Sequence, residues 1–187
     1  MPFYRNVYRT AECGGLVPGT SLHAFIHNGD YHLTDIEVYR DGLIECWGLM
    51  TFDEFKRKVD EGWVRVTLPP GARVYAMLGC LTFTASRVVC RINESEFIKE
   101  VADELDRLND RPTSLDRCQK ALADYKASPS AERLDAIRIA YEAVPEHNRR
   151  FLGDMDTKDS EYRGLLNPPR VRPRSSAHKR GNTLGDA

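Results

Sequence analysis

What the chain lacks narrows its class first. Nowhere does it approach the roughly 20 consecutive apolar residues of a membrane-spanning helix, and its longest mainly apolar run, Val74 to Thr84, is broken by Gly79 and Thr82. The opening residues, Met1 to Arg9, supply arginines but no apolar h-region and no small-residue cleavage site. A secretory leader is therefore not expected, and the cytoplasm is the default compartment. Five cysteines (Cys13, Cys46, Cys80, Cys90, Cys118) form an odd set without CxxC spacing, which argues against a disulfide framework and a zinc ribbon. Small buried thiols are the expected role. Missing too are a Gly-x-Ser-x-Gly elbow, a Gly-rich phosphate loop, a His-Glu-x-x-His helix and any solenoid repeat. No cofactor is implied.

What remains is a globular composition: 187 residues, 41% hydrophobic and 29% charged, with a net charge of -1. A chain of this length buries roughly 70% of its unfolded surface, enough to need neither disulfide nor metal. The charge is unevenly placed. After Tyr162 come Arg163, Arg170, Arg172, Arg174, Lys179 and Arg180 against Asp186 alone, so the first 162 residues carry 21 basic and 27 acidic side chains. With Pro168, Pro169 and Pro173 and little apolar surface, residues 163–187 read as a disordered basic tail.

The first 92 residues read as strands. Leu22–His27 and Tyr31–Tyr39 flank Asn28-Gly29, a strong signal for a hairpin with a type I′ turn. Within the second arm Ile36 and Val38 alternate with Leu33, Asp35, Glu37 and Tyr39, which places Ile36 and Val38 on the core face. Asp41-Gly42 turns into Leu43–Trp47, completing a three-stranded meander. Thr51-Phe-Asp-Glu54 has the form of a capping box, and Phe52, Phe55 and Val59 mark a short helix that Gly62 stops. Trp63–Thr67 and one or two strands within residues 72–92 bring the sheet to five or six strands.

Helical spacing follows: Phe97, Ile98, Val101, Leu105 and Leu108 from about Ser95 to Asn109, then Leu115, Cys118, Ala121, Leu122 and Tyr125 from Thr113 or Ser114. Ser128 and Pro129 introduce a third helix with Leu134, Ile137, Ala140 and Tyr141 inward. Pro145 opens a final short turn ending near Gly153. The expected architecture is α+β: an N-terminal antiparallel sheet with one short helix (residues 1–92) and a C-terminal subdomain of three helices (93–162), in one domain. The helices either pack on each other or cover one face of the sheet.

Chemistry-bearing residues are scattered. His23 and His27 sit four apart on a strand, about 13 Å at roughly 3.3 Å per residue, too far for one metal ion. His27 and His32 could face each other across the turn, without an evident third ligand. Cys46 or Cys80 with a hairpin histidine would be the elements of a thiol nucleophile. Asp154, Asp156, Asp159 and Glu161 offer oxygen ligands for a divalent metal, but Lys158 and a missing glycine spoil the calcium-loop pattern. Tyr39, Trp47 and Trp63 lie close together in the sheet reading, and aromatic residues are common anchors of recognition surfaces. The tail's six cations would attract nucleic acid only weakly, because the tail has no aromatic residue to stack on bases and the body is acidic.

Ile36-Glu-Val-Tyr-Arg-Asp-Gly-Leu-Ile-Glu-Cys-Trp-Gly48, Gly62-Trp-Val64, Tyr141-Glu-Ala-Val-Pro-Glu-His147 and Gly153-Asp-Met-Asp-Thr-Lys-Asp159 together resemble a family of small, functionally uncharacterised bacterial proteins. The resemblance covers about residues 3–160 and leaves the tail outside it. Family members continue the Lys158-Asp159 motif with tryptophan, where this chain has Ser160. It implies a bacterial cytoplasmic source and a compact unit, and no activity.

These readings favour a non-enzymatic protein-interaction module, such as a regulatory, immunity-type or phage-defence accessory protein. Its partner would dock on Tyr39, Trp47 and Trp63 or on Asp154, Asp156 and Asp159. The alternative is a small hydrolase or ligand-binding enzyme using a Cys46–histidine pair or the clustered carboxylates with a divalent metal.

Overall fold

The computed structural model describes residues 5–76, 79–90, 92–154 and 156–167. A long hairpin is its spine. Strand β2 (Leu16–Asn28) pairs antiparallel with β3 (Asp30–Tyr39) from Gly19↔Tyr39 to Asn28↔Asp30. Gly29 turns the hairpin at φ 78 and Asn28 keeps an ordinary φ, so the expected hairpin forms without the type I′ geometry. The other strands flank the two ends of this spine. At one end lie β1 (Arg5–Thr10) on β2, then β4 (Leu43–Glu45) on β3 and β5 (Leu49–Thr51) on β4. At the other end β6 (Val64–Arg65) pairs with β2, while β7 (Ala72–Ala76) pairs with β3 and β8 (Leu81–Ala85) with β7.

Among the described residues the sheet thus has eight strands rather than five or six, because β1 and the three-residue β5 are too short or too polar to announce themselves in sequence. One pairing, β3 with β7, is parallel. It needs a long return connection, which helix α1 (Phe52–Asp60) and β6 provide.

Helix α1 starts where the capping box places it. Thr51 accepts from the Glu54 amide, while Glu54 accepts from the Thr51 amide at 2.8 Å. Phe55 and Val59 point from it onto Leu22, Ala24, Ile26, Ile36, Val38, Ile44 and Cys46. Helix α2 (Glu94–Leu108) completes that layer with Phe97, Val101 and Leu105, one apolar stripe at i, i+4 and i+8. The opposite sheet face carries a smaller cluster of Ala72, Val74 and Ala85.

Helices α3 (Ser114–Ala127) and α4 (Ala131–Ala143), a 3-10 helix (Glu146–Phe151) and α5 (Ser160–Leu166) follow. They share a core of their own: Cys118, Leu122, Ile137, Val144, Leu152 and Tyr162. Both packing alternatives are therefore used: α2 covers the sheet, and α3 to α5 pack on each other. Helix α4 is capped by Ser130, not Ser128, because Ser130 Oγ accepts from the Arg133 amide while Ser128 ends α3 and its carbonyl accepts from Arg133. Residues 163–166, assigned by sequence to the tail, continue α5, with Arg163 paired to Asp159. The rest of the basic segment, from residue 168, lies outside the described residues.

Polar groups join the two parts. Asp103, buried on α2, accepts from the Ser114 amide at 2.7 Å and from Ser114 Oγ at 2.5 Å. Arg117 reaches Asp106 at 2.7 Å, and Lys99 donates to the Glu142 carbonyl at 2.8 Å. Glu96 accepts from the Glu146 amide, and His147 Nε2 lies 3.7 Å from Glu100 Oε2. Helix α2 thus turns an apolar face to the sheet and an acidic face to the C-terminal helices.

Candidate functional site

The sequence candidates divide between places. Tyr39 is only 4% exposed and lies on the sheet face opposite Ile36 and Val38. Its hydroxyl donates to Glu37, the Arg9 guanidinium sits 5.3 Å from its ring centre, and Gly19 lies beneath the ring. Burial first, then the Glu37 contact, raises its pKa above the ordinary tyrosine value. Tyr39 is therefore a packed residue, separate from the two tryptophans. Strand alternation already set it in register with Glu37 rather than Val38.

Trp47 and Trp63 do meet. Their rings stand edge to face at 6.2 Å. Trp47 occupies the connection from β4 to β5, between Cys46 and Gly48, at φ 55, a conformation glycine or asparagine ordinarily supplies. Its side chain is nonetheless large, and the residue is 52% exposed. Trp63, half-buried at the end of α1, is held by its amide donating to the Lys58 carbonyl and its carbonyl accepting from the His27 amide.

The contact extends to residues that the sequence does not group with the tryptophans. His32 lies 5.2 Å from Trp47, tilted against it, and stacks on Tyr75 at 5.2 Å. The β3–β7 pairing sets His32 beside Tyr75. Lys58 lies over Trp63 at 5.3 Å and Arg73 over Tyr75 at 5.2 Å. The result is a continuous ladder, Lys58, Trp63, Trp47, His32, Tyr75, Arg73, on the sheet face that α1 and α2 cover elsewhere. No signal local in sequence joins residues 32, 47 and 75, since a non-local parallel pairing brings them together.

The histidines do not converge. His23 pairs with Asp35 at 2.8 Å, and His27 stacks on Tyr31 at 4.6 Å. Ladder register sets His27 opposite Tyr31 and His32 opposite Ile26, so the two histidines take opposite faces instead of facing each other. Cys46 is fully buried in the main core, and burial first, with Glu45 adding to it, pushes its thiol up to about 12. It is thus a protonated core residue at neutral pH, not a thiolate poised beside a hairpin histidine. Burial likewise pushes Cys118 up to about 11.

The acidic segment is largely occupied with itself. Asp154 accepts from the Asp156 amide at 3.1 Å, the Thr157 amide at 2.6 Å and Thr157 Oγ1 at 2.6 Å. Asp159 accepts from Tyr141 Oη at 2.6 Å and pairs with Arg163 at 3.0 Å. Asp156 is exposed. Among the described residues no group of three or more His, Cys, Asp or Glu is arranged to hold a metal ion, and no helix is long and apolar enough to cross a membrane.

Residues 6–112 match the family model described as Domain of unknown function (DUF7638), and residues 113–183 match a second, Domain of unknown function (DUF7639). No curated protein and no solved structure matches the chain. The second match runs to residue 183, so the basic segment lies largely inside it, contrary to a resemblance ending near residue 160. The boundary at 112 and 113 falls between α2 and α3, where the two hydrophobic cores part. The chain belongs to the family of domains of unknown function DUF7638, followed by its DUF7639 segment.

Proposed function

We propose that this protein is a non-enzymatic interaction module of the bacterial cytoplasm, of the regulatory, immunity-type or phage-defence accessory kind, and that it captures a protein partner on the Trp47 ladder. One observation carries the reading. A tryptophan in the left-handed region costs roughly 1–2 kcal/mol, and here that cost keeps an indole half in water instead of filling a core. Backbone strain of this sort is concentrated at binding and switch sites, and tryptophan is enriched among residues that dominate interface energy. The acidic segment is the weaker docking candidate, since Asp154 and Asp159 already spend their oxygens on Thr157, Tyr141 and Arg163.

The test is quantitative capture from host lysate with the tagged wild-type chain and with Trp47→Gly, a substitution suited to the local φ. A partner retained by the wild type should be depleted at least tenfold from the variant, as expected for an anchor worth 2 kcal/mol or more. Equal recovery would rule the ladder out as the capture surface.

A further inference from the structure

The ladder also carries information about what it binds, an inference that rests on its being the capture surface. Its two outer members are cations. Arg73, exposed on β7, has its contact with the Tyr75 ring and no carboxylate partner among the described residues. Lys58 shares its charge between the Trp63 ring and Glu61, 3.5 Å away. The rings between them are not open stacking platforms. His32 is in contact with both Trp47 and Tyr75, and Tyr75 with both His32 and Arg73. Bases of a single strand need free ring faces, and these two rings already stack on each other.

Trp47, the most exposed ring of the ladder, supplies apolar surface between the two cations. Thr82 and Thr84, exposed on β8, pair with Tyr75 and Arg73 and continue the same face with hydroxyl donors. Cations at both ends and hydroxyls alongside make a surface that complements negative charge spread along a line. We propose that the occupant is an extended acidic segment of a protein partner, with carboxylates meeting Arg73 and Lys58 and apolar side chains against Trp47. Residues 1–162 are net acidic, so within that body like-charge repulsion disfavours other positions for such a segment.

A display library of random dodecapeptides, selected on the immobilised full-length chain, tests this. Peptides enriched on the wild type should carry net negative charge. On Arg73→Glu that bias should disappear, and on Arg73→Gln it should weaken. A labelled enriched peptide should bind Arg73→Glu at least tenfold more weakly, and its affinity for the wild type should fall as salt is raised and the Debye length shortens. Enrichment of neutral or basic peptides, no enrichment, or tighter binding of a thymidine dodecanucleotide than of any peptide would overturn the proposal, the last in favour of nucleic acid. If peptides fail while Trp47→Gly still abolishes partner capture, the acidic class is wrong and the capture surface stands. If Trp47→Gly leaves capture unchanged, the surface itself is wrong.

Discussion

Glu100 shows how single residues set the chain's response to pH. It faces the C-terminal helices with Asp103 and Glu104 on its own helix and His147 across the seam. Burial raises its pKa, the nearby His147 opposes that rise, and the negative charges of Glu104 and Asp103 add to it. A carboxyl whose folded pKa is raised binds its proton more tightly in the folded state, so its stabilising contribution is full below the unfolded value of about 4.3 and is lost as pH rises through the folded value. Glu100→Gln should therefore stabilise the protein at pH 7 to 8, with the gain vanishing towards pH 4. Urea titrations across that range would check it, and a gain independent of pH would refute the assignment. Gly19 is a second residue-scale constraint: a Cβ there would lie 2.6 Å from Tyr39 Cδ1 and 2.6 Å from the Val38 carbonyl. That is why a glycine interrupts the long strand β2 and why sequence reading began the strand only at Leu22.

At the scale of elements, α2 holds the molecule together. Phe97 is 2% exposed and its ring tilts against Phe55 at 6.2 Å, joining both helices over the sheet. Phe97→Ala should cost about 3–5 kcal/mol, measured as a lowered denaturation midpoint with an unchanged slope. A loss under 1 kcal/mol would mean that the α1–α2 layer repacks freely. The elements legible in sequence were those with strong local chemistry: the Asn28-Gly29 hairpin, the Thr51 capping box, and the periodic stripes of α2 and α3. Those that escaped, β1, β5 and α5, are short and owe their form to tertiary partners. Helix α5 rests on Tyr162, buried beside Tyr141, a contact no local pattern reveals. In the candidate site, Trp47 and Trp63 were legible as a pair because α1 is short. His32, Tyr75 and Arg73 were not, because a parallel pairing across roughly forty residues assembles them.

At the largest scale, the described residues form a smaller cluster on the far sheet face and two main hydrophobic cores joined by a polar seam. Buried Asp103 sits at its centre, accepting from Ser114 and 3.8 Å from Arg117. Polar contacts between parts leave them able to open separately. Asp103→Ala should speed hydrogen exchange in the first turns of α3 by about tenfold or more, the loss of one or two charge-assisted hydrogen bonds, while the central hairpin stays protected. Equal acceleration in both would show a single cooperative unit instead. On this view the sheet-bearing part presents the ladder and the helical part braces α2.

The central claim is that Trp47 is kept at the surface for recognition and not for stability. The direct measurement is the melting temperature and partner capture of Trp47→Gly made side by side with the wild type. Relief of the strained φ offsets the lost ring contacts, so the account expects stability within about 1 kcal/mol of wild type together with loss of capture. A collapse in stability by several kcal/mol, or full capture by the variant, would contradict it.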